Sequence, residues 1–352
     1  MLRNASPRPV RRTVSMTDVA ALAQVSQKTV SRVVNGEPYV REEVRQRVQD
    51  AIKELDFRPN AAARSLVTRR TRRIGVVALG TTFHGPMSAL AALESVARAD
   101  GYSLSVHRTE STDRDEIQSA VDTLLNEGVE GVVLSEPKQL EAPPLQVRAD
   151  VAVLTLGALG LTAREDELVV GTDEESGGRL ATEHLLALGH RTVHHLAGPQ
   201  AWVSSRLRQQ GWTSALREHG AEIPEAVTGD WTPRSGFEAM TQLLTTTTPT
   251  AVFVANDQMA IGAMSAIARQ GLTVPGDISI VGFDDIDVTE FLPTPLTTLR
   301  QEFTHAAHRG MNALIRTIDG DAPQDVPDLV PLSFVNRSTT ASPTPAGTTD
   351  NR

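Results

Sequence analysis

Residues 17–36, TDVAALAQVSQKTVSRVVNG, decide how the amino-terminal part of the chain is read. Met16 to Ala23 brings Val19, Ala20 and Ala23 onto one side of a short helix. The turn AQVS follows, and Ser26 can cap a second helix, QKTVSRVV. In that helix Val30, Val33 and Val34 face inward while Gln27, Lys28, Ser31 and Arg32 face out. Two short helices separated by about four residues have the spacing of a helix-turn-helix. A third helix, from about Arg41 to Leu55, supplies Val44, Val48, Ile52 and Leu55 to complete a three-helix core. Arg41 is a poor cap for it, but Glu42 and Glu43 suit the positive end of the helix dipole.

Working outward, the charge divides at the same place. Residues 1–73 carry 16 Lys/Arg against 7 Asp/Glu, a net of +9, whereas residues 74–352 carry 18 against 36, a net of −18. A small basic module that meets a polyanion, joined to an acidic body with another task, accounts for this; a basic tail without a target is the alternative. With 40% hydrophobic and 22% charged residues the chain is neither collagen-like, nor a coiled-coil rod, nor wholly disordered. No apolar run reaches the roughly 18 residues of a membrane helix, and MLRNASPRPVRRT lacks the apolar centre of a secretory signal, so a cytoplasmic location without membrane contact is expected. There is no cysteine, which excludes disulfides, thiolate metal sites and a cysteine nucleophile.

From Ile74 onward strand-like and helix-like segments alternate: IGVVALG, an Ala/Leu-rich helix, YSLSVHRT, a helix over Glu116 to Glu127, GVVLSE, and so on to AVFVAND and ISIVGFDD. This alternation predicts an α/β body of parallel sheets with crossover helices.

Several motifs then agree in order. The opening run, RPNAAARSLVTRRTRRIGVV, RLATEHLLALGH, HLAGP, RLRQQGW, GDW, VFVANDQMAIGA, ISIVGFDD and PLTTLRQEF together resemble the lac repressor family of bacterial transcription regulators over about residues 14 to 340. The resemblance implies a small all-α helix-turn-helix head and a two-lobed periplasmic-binding-protein-like body. By it, residues 1–13 are a disordered basic extension, 14–59 the DNA-binding domain, 60–73 a hinge helix and linker, 74–339 a two-lobed sugar-sensing and dimerisation domain, and 340–352 a disordered tail. Residues 74–171 and 303–330 would form one lobe, and 172–302 with a last strand near Leu332 the other. The tail has no leucine heptads, so a homodimer is expected.

The same resemblance assigns roles on operator DNA. Gln27, Lys28 and Arg32 match base-reading positions, where Arg or Lys favours guanine and Gln favours adenine. Ser26, Thr29, Ser31 and Asn35 match phosphate contacts that fix register. Asn60 begins the hinge helix, and Leu66 matches the residue that wedges a base step in the minor groove. A solvated arginine is the alternative for Arg32 and a core leucine for Leu66; for Tyr39 both backbone contact and core packing stay open.

In the body, Arg208, Asn256 and Asp284 match effector-binding positions, with Ser204, Trp231, Gln301 and Phe303 as further cleft residues and Phe83, His84 and Pro86 in the loop after the first strand. A sugar needs planar hydrogen-bonding groups and an aromatic face, for which Trp231 is the candidate. Caps and ion pairs are the plainer reading of the polar trio, and core packing that of Trp231 and Phe303. Gly157 and Gly171 stand where the resemblance would put a carboxylate and an aromatic, so the cleft has room for an oligosaccharide or substituted glycoside, with a galactoside-like effector favoured.

No nucleophile elbow, phosphate-binding loop or H-E-x-x-H motif occurs, so an enzyme is not expected, and neither is a cofactor. His194 and His195 are neighbours on a strand and point to opposite faces, which argues against a shared metal. Asp284 and Asp285 diverge likewise. A freestanding cytosolic sugar-binding protein, or a regulator with a non-sugar corepressor, is the alternative to a sugar-released repressor.

Overall fold

A computed structural model describes residues 14–34, 36–58, 65, 68, 70–81, 83–110, 113–135, 144–157, 164–321 and 329–344. The chain divides into two compact units, residues 1–71 and 72–352.

The first unit holds helices α1 (Met16–Ala23), α2 (Gln27–Val34) and α3 (Glu42–Glu54). Ser15 and Asp18 form a capping box on α1: the Asp18 amide donates to Ser15 Oγ at 3.3 Å and the Ser15 amide to the Asp18 carboxylate at 2.9 Å. α3 begins at Arg41 with no side-chain cap. Val19, Val30 and Val48 are fully buried, and Ala20, Ala23, Val33 and Ala51 close the core with Phe57. Phe57 lies beyond the periodic pattern of α3, and only the folded turn after the helix brings it in. Val34, Ile52 and Leu55 pack at the core's edge. Asn35, Asn60 and Leu66 lie outside the described residues, as do residues 1–13.

The second unit is built on two parallel sheets. The larger has six strands in the spatial order Leu329–Val330 (β11), Leu168–Thr172 (β5), Ala152–Leu156 (β4), Gly131–Ser135 (β3), Arg73–Leu79 (β1) and Ser103–Thr109 (β2). Helices His84–Ala99 (α4) and Phe303–Ile318 (α10) cover one face through Leu93, Val96, Met311 and Leu314, and Arg114–Asn126 (α5) covers the other through Ile117, Val121 and Leu124. With both faces covered, β1 is buried almost without alternation.

The second sheet has the order Val227–Thr228 (β7), His194–Ala197 (β6), Ala251–Val254 (β8) and Ser279–Val281 (β9), between helices Glu174–Ala187 (α6), Val203–Glu218 (α7), Pro233–Thr246 (α8) and Asp257–Arg269 (α9). Strands Thr298–Arg300 (β10) and Ser333–Val335 (β12) pair antiparallel beside it. The chain therefore crosses between lobes after Thr172, near Gln301 and between Val330 and Ser333.

Two helix pairs touch backbone to backbone. A Cβ on Gly211 of α7 would stand 1.9 Å from the Glu175 carbonyl of α6, and one on Gly178 of α6 would stand 2.1 Å from the Arg208 carbonyl of α7. Gly236 of α8 and Gly262 of α9 repeat the device, at 2.1 Å from the Met259 carbonyl and 1.8 Å from the Pro233 carbonyl. The first pair lays Arg208 beside Glu174, which matters for the cleft.

The disordered tail expected from residue 340 needs correction over its first part. The Ala341 amide donates to Ser279 Oγ at 3.0 Å, Thr340 Oγ1 lies 3.0 Å from His184 Nε2, and Thr344 Oγ1 donates to the Gly276 carbonyl at 3.2 Å. The segment is too polar to announce burial, but its backbone and hydroxyls satisfy groups at the edge of the second sheet.

His194 and His195 have separate surroundings. His195 is fully buried, stacked on Phe253 with ring centroids 4.7 Å apart, and its Nδ1 lies 3.0 Å from the Phe253 carbonyl. No cluster of three or more potential ligands for a metal ion occurs among the described residues. Burial pushes the His195 imidazole down to about 4. The folded pKa lies below the unfolded one, so as pH falls from about 6.5 the unfolded chain protonates first, and this group removes stability down to about pH 4. His195→Phe keeps the ring stack without the proton site. From pH 7 to pH 4.5 the wild type should lose roughly 2–3 kcal/mol more unfolding free energy than the variant, measured by thermal unfolding; parallel pH curves would refute the assignment.

Candidate functional site

Helix α2 presents a polar face. Gln27, Lys28 and Arg32 are exposed, and Ser31 and Thr29 half-buried. Ser26 Oγ accepts from the Thr29 amide at 3.1 Å and bonds Thr29 Oγ1 at 2.9 Å, so Ser26 and Thr29 rigidify the start of the helix that carries the long side chains. Arg32 Nε lies 3.4 Å from the Glu37 carboxylate with both side chains nearly half exposed. Such a pair is worth at most about 1 kcal/mol, so the guanidinium can exchange this partner for another acceptor. Tyr39 is 91% exposed, which removes core packing as its explanation.

In the body, the residues around Arg208 form a closed ring of polar contacts. Arg208 Nε donates to Glu174 Oε2 at 2.7 Å, its Nη2 lies 3.7 Å from Asp284 Oδ1, and its Nη1 donates to the Ala255 carbonyl. Gln301 Nε2 donates to Asp284 Oδ1 at 2.6 Å, and Thr172 Oγ1 lies 2.8 Å from Gln301 Oε1 and 2.9 Å from Glu174 Oε1. The Arg208 guanidinium also lies over the Phe283 ring, 3.7 Å from its centroid. Thr172 and Gln301 are crossing points between the lobes, so the ring sits on the hinge, at the carboxyl ends of the strands where α/β folds hold ligands.

Asn256 has a double task. Its Oδ1 caps α9 by accepting from the Met259 amide at 2.9 Å, and its Nδ2 donates to the Trp231 carbonyl at 3.1 Å. The second bond is informative because Trp231 has φ +76°, a left-handed backbone that costs a bulky residue about 1 kcal/mol or more. The indole is 5% exposed and lies against Gly198, where a Cβ would come within 2.3 Å of the ring. Trp202 meets it edge-on at 5.6 Å, and Phe83 meets Trp202 at 5.8 Å, an aromatic row that joins the loop of one lobe to the other. Trp231 is thus a strained, tethered and mostly covered indole, less open than a stacking platform would be.

His84 lies 6.0 Å from the Phe303 ring, and Gly85 between His84 and Pro86 leaves space for that ring, since a Cβ there would sit 3.2 Å from Phe303 Cζ. Ser204 lies on α7 one turn before Arg208. The expected cleft residues therefore fall in two groups: Arg208, Asp284 and Gln301 bonded in the ring with Asn256 and Trp231 beside it, and Phe83, His84, Pro86 and Phe303 on the other lobe.

Burial raises the Asp284 carboxyl above the usual carboxylate range, and the nearby Arg208 guanidinium opposes that rise. Asp257, fully buried, is raised well above it by burial and by the neighbouring Asp284, while Thr298 Oγ1 and the Ile286 amide donate to it. Asp285 turns to Arg300 and Arg337, each at 2.7 Å, so the two adjacent aspartates part as their positions require. Sequence reasoning missed Glu174, Thr172, Trp202 and Phe283. Glu174 reads as an ordinary acid in a first helical turn, and nothing in a linear string reveals that α7 carries Arg208 past it.

Residues 15–60 match the family described as bacterial regulatory proteins, lacI family, and residues 182–340 match a periplasmic binding protein-like domain. The chain is 36% identical to the lactose operon repressor of Escherichia coli K12 over 333 residues, 94% of this chain and 91% of that protein. It is 34% identical to the ribose operon repressor of the same strain over 309 residues, 86% and 93% of the two chains. A crystal structure of the lac repressor dimer bound to operator and the anti-inducer ONPF superposes with a TM-score of 0.81 at 35% identity, covering 94% of this chain and all of that one.

Proposed function

This chain belongs to the lacI family of bacterial regulatory proteins, and from that membership we propose a dimeric repressor whose hold on its operator is released by a sugar bound between the lobes of the body. In this reading the chain is a DNA-binding transcription regulator rather than an enzyme. Its DNA-binding domain spans residues 14–59, residues 60–73 are the hinge and linker, and the body begins at residue 74. No helix among the described residues is long and apolar enough to cross a membrane.

On DNA, Gln27, Lys28 and Arg32 read base edges in the major groove, and Ser26, Thr29, Ser31 and Asn35 hold phosphates. Asn60 and Leu66 act in the minor groove, with Leu66 as the wedge. Two-fold symmetry calls for two half-sites on one face of the duplex. Arg208, Asp284, Gln301, Asn256, Trp231 and Ser204 hold the effector from one lobe, and Phe83, His84, Pro86 and Phe303 from the other.

The polar ring on the hinge carries the proposal. Thr172, Gln301, Asp284, Arg208 and Glu174 join strand ends through which the chain passes from lobe to lobe. A ligand exchanging bonds with them binds one lobe arrangement better than another, and that difference is what shifts an equilibrium. A tenfold loss of operator affinity needs a coupling of only about 1.4 kcal/mol.

The test is selection of a duplex from a random pool, followed by binding of wild type and Arg32→Ala in the absence and presence of glycosides, galactosides first. Arg32→Ala should cost about 1–3 kcal/mol on the selected site and relax preference at one base pair per half-site. Wild-type binding should fall steeply with salt; the lac repressor is itself the standard case of that slope. Equal losses on selected and random DNA would reduce Arg32 to a phosphate contact.

A further inference from the structure

The end of helix α2 is built so that one acid stands beside the arginine assigned to base reading. The Gly36 amide donates to the Val33 carbonyl at 3.1 Å and the Glu37 amide to the Arg32 carbonyl at 2.9 Å, with Gly36 at φ +73°. Helices that close on a left-handed glycine in this way commonly pack the residue after the glycine, through an apolar contact, against the residue five places before it. Here those two residues are Glu37 and Arg32, and the contact is an ion pair, with Arg32 Nε 3.4 Å from Glu37 Oε2. The backbone of the acid is held on both sides. Arg45 Nη2 of α3 donates to the Glu37 carbonyl at 2.8 Å, and Pro38 disfavours helical backbone at the residue before it.

The atom that the acid engages decides what the arginine can still do. A guanidinium carries its N–H donors in a planar fork, and Glu37 meets that fork at Nε. The terminal pair, Nη1 and Nη2, suffices for the two acceptors that guanine presents in the major groove, O6 and N7. Those acceptors are neutral, so the ion pair can stay intact against them, and it strengthens where protein and base edges exclude water. A phosphate meets the opposite situation. It is an anion, and the Glu37 carboxylate beside the guanidinium cancels much of its attraction to Arg32.

We propose that Glu37 is a positioning residue that sets the specificity of the head: it holds Arg32 with its terminal nitrogens ready for a guanine and discounts its attraction to phosphate. In a segment of net charge +9 the other cations attract any duplex, and sequence is told apart only by contacts that phosphates cannot mimic. An acid next to the base-reading cation lowers binding to random DNA while leaving the guanine contact in place, so the ratio of specific to random binding rises. Because the pair is exposed and weak in water, it orients the guanidinium without locking it away from the groove.

The inference rests on the reading of Arg32 as a base contact, and the experiment separates the two. Full-length wild type, Arg32→Ala, Glu37→Gln, the double variant and Glu54→Gln are titrated by fluorescence anisotropy against a duplex selected from a random pool, its single-base-pair substitutions and a random duplex of equal length. Glu37→Gln should bind random DNA roughly tenfold more tightly, with a salt slope steeper by about one per head, and lose roughly tenfold in preference at the base pair that Arg32→Ala relaxes. Its preference at the other base pairs and its melting midpoint should stay as in wild type, whereas a residue that only shaped the helix end would shift the midpoint and every base pair together. In the Arg32→Ala background Glu37→Gln should do no more than Glu54→Gln, which removes an exposed acid from the last position of α3. An unchanged preference in Glu37→Gln, or a gain on random DNA that Glu54→Gln matches, overturns the inference while leaving Arg32 a base contact. Equal losses of Arg32→Ala on selected and random DNA overturn the base reading and the inference with it.

Discussion

Replacing Arg208 by alanine should lower the unfolding midpoint of the body by roughly 5–15 °C and abolish its response to glycosides. Arg208 is the guanidinium between the buried carboxylates of Glu174 and Asp284, both side chains about a tenth exposed. Truncation leaves two like charges out of water with no counter-ion, and breaking a buried pair in this way costs about 3–5 kcal/mol, far more than the pair adds when intact. The consequences distinguish this from loss of packing. The unpaired carboxylates would have pKa values above their unfolded ones, so the deficit should be largest at neutral pH and shrink as pH falls through those raised values. Adding Glu174→Gln to Arg208→Ala should recover much of the midpoint without restoring the response. An Arg208→Ala protein that melts like wild type would mean that the ring carries no buried charge. Arg208→Ala is therefore a poor variant for asking about the effector alone.

The other large effect concerns a residue with no side chain. Gly211→Ala and Gly211→Val should both destabilise the body by about 3 kcal/mol or more, and by similar amounts, because the first added carbon already meets the Glu175 carbonyl at 1.9 Å. Helices α6 and α7 can relieve that overlap only by separating, which also parts Arg208 from Glu174, so the effector response should fall along with stability. Gly101→Ala is the control. Its φ is +74° and nothing lies within 4 Å of an added Cβ, so it should cost only the backbone preference, about 1–2 kcal/mol. Thermal or urea unfolding of the three variants decides the matter; a Gly211→Ala protein no less stable than Gly101→Ala would show that the helices tolerate separation.

Much of the head is legible in the string because its determinants are local. The spacing of Val19, Val30 and Val33, the Ser26 cap and the weak start of α3 at Arg41 follow from periodicity and capping, each acting within one or two turns. Phe57 is the exception, because it enters the core through the turn after α3. The alternation of β and α in the body is equally local, and the apolar runs that become β1 and β3 stand out in the string as strand-like.

The site divides differently. Motif resemblance marks Arg208, Asn256, Asp284 and Gln301, but a position in a motif does not say which partner a side chain finds. Asn256 proves to cap α9 and tether Trp231, and Trp231, expected as an open platform, is folded under Trp202 beside Gly198 with its N–H unpaired. Glu174 and Thr172 escaped notice because their significance is non-local: they stand 34 and 129 residues from the groups they bond. The polar segment from residue 340 read as disorder because composition reports the capacity to bury apolar surface, whereas Thr340 and Ala341 are held by hydrogen bonds to His184 and to the second sheet. By itself, then, the sequence determined the elements, their order and the basic head on an acidic body, since propensity, capping and charge act over a few residues. The charge balance of the cleft, the strain at Trp231 and the glycine contacts that align Arg208 with Glu174 were decided only by the tertiary structure, because burial and desolvation exist only once distant segments have met.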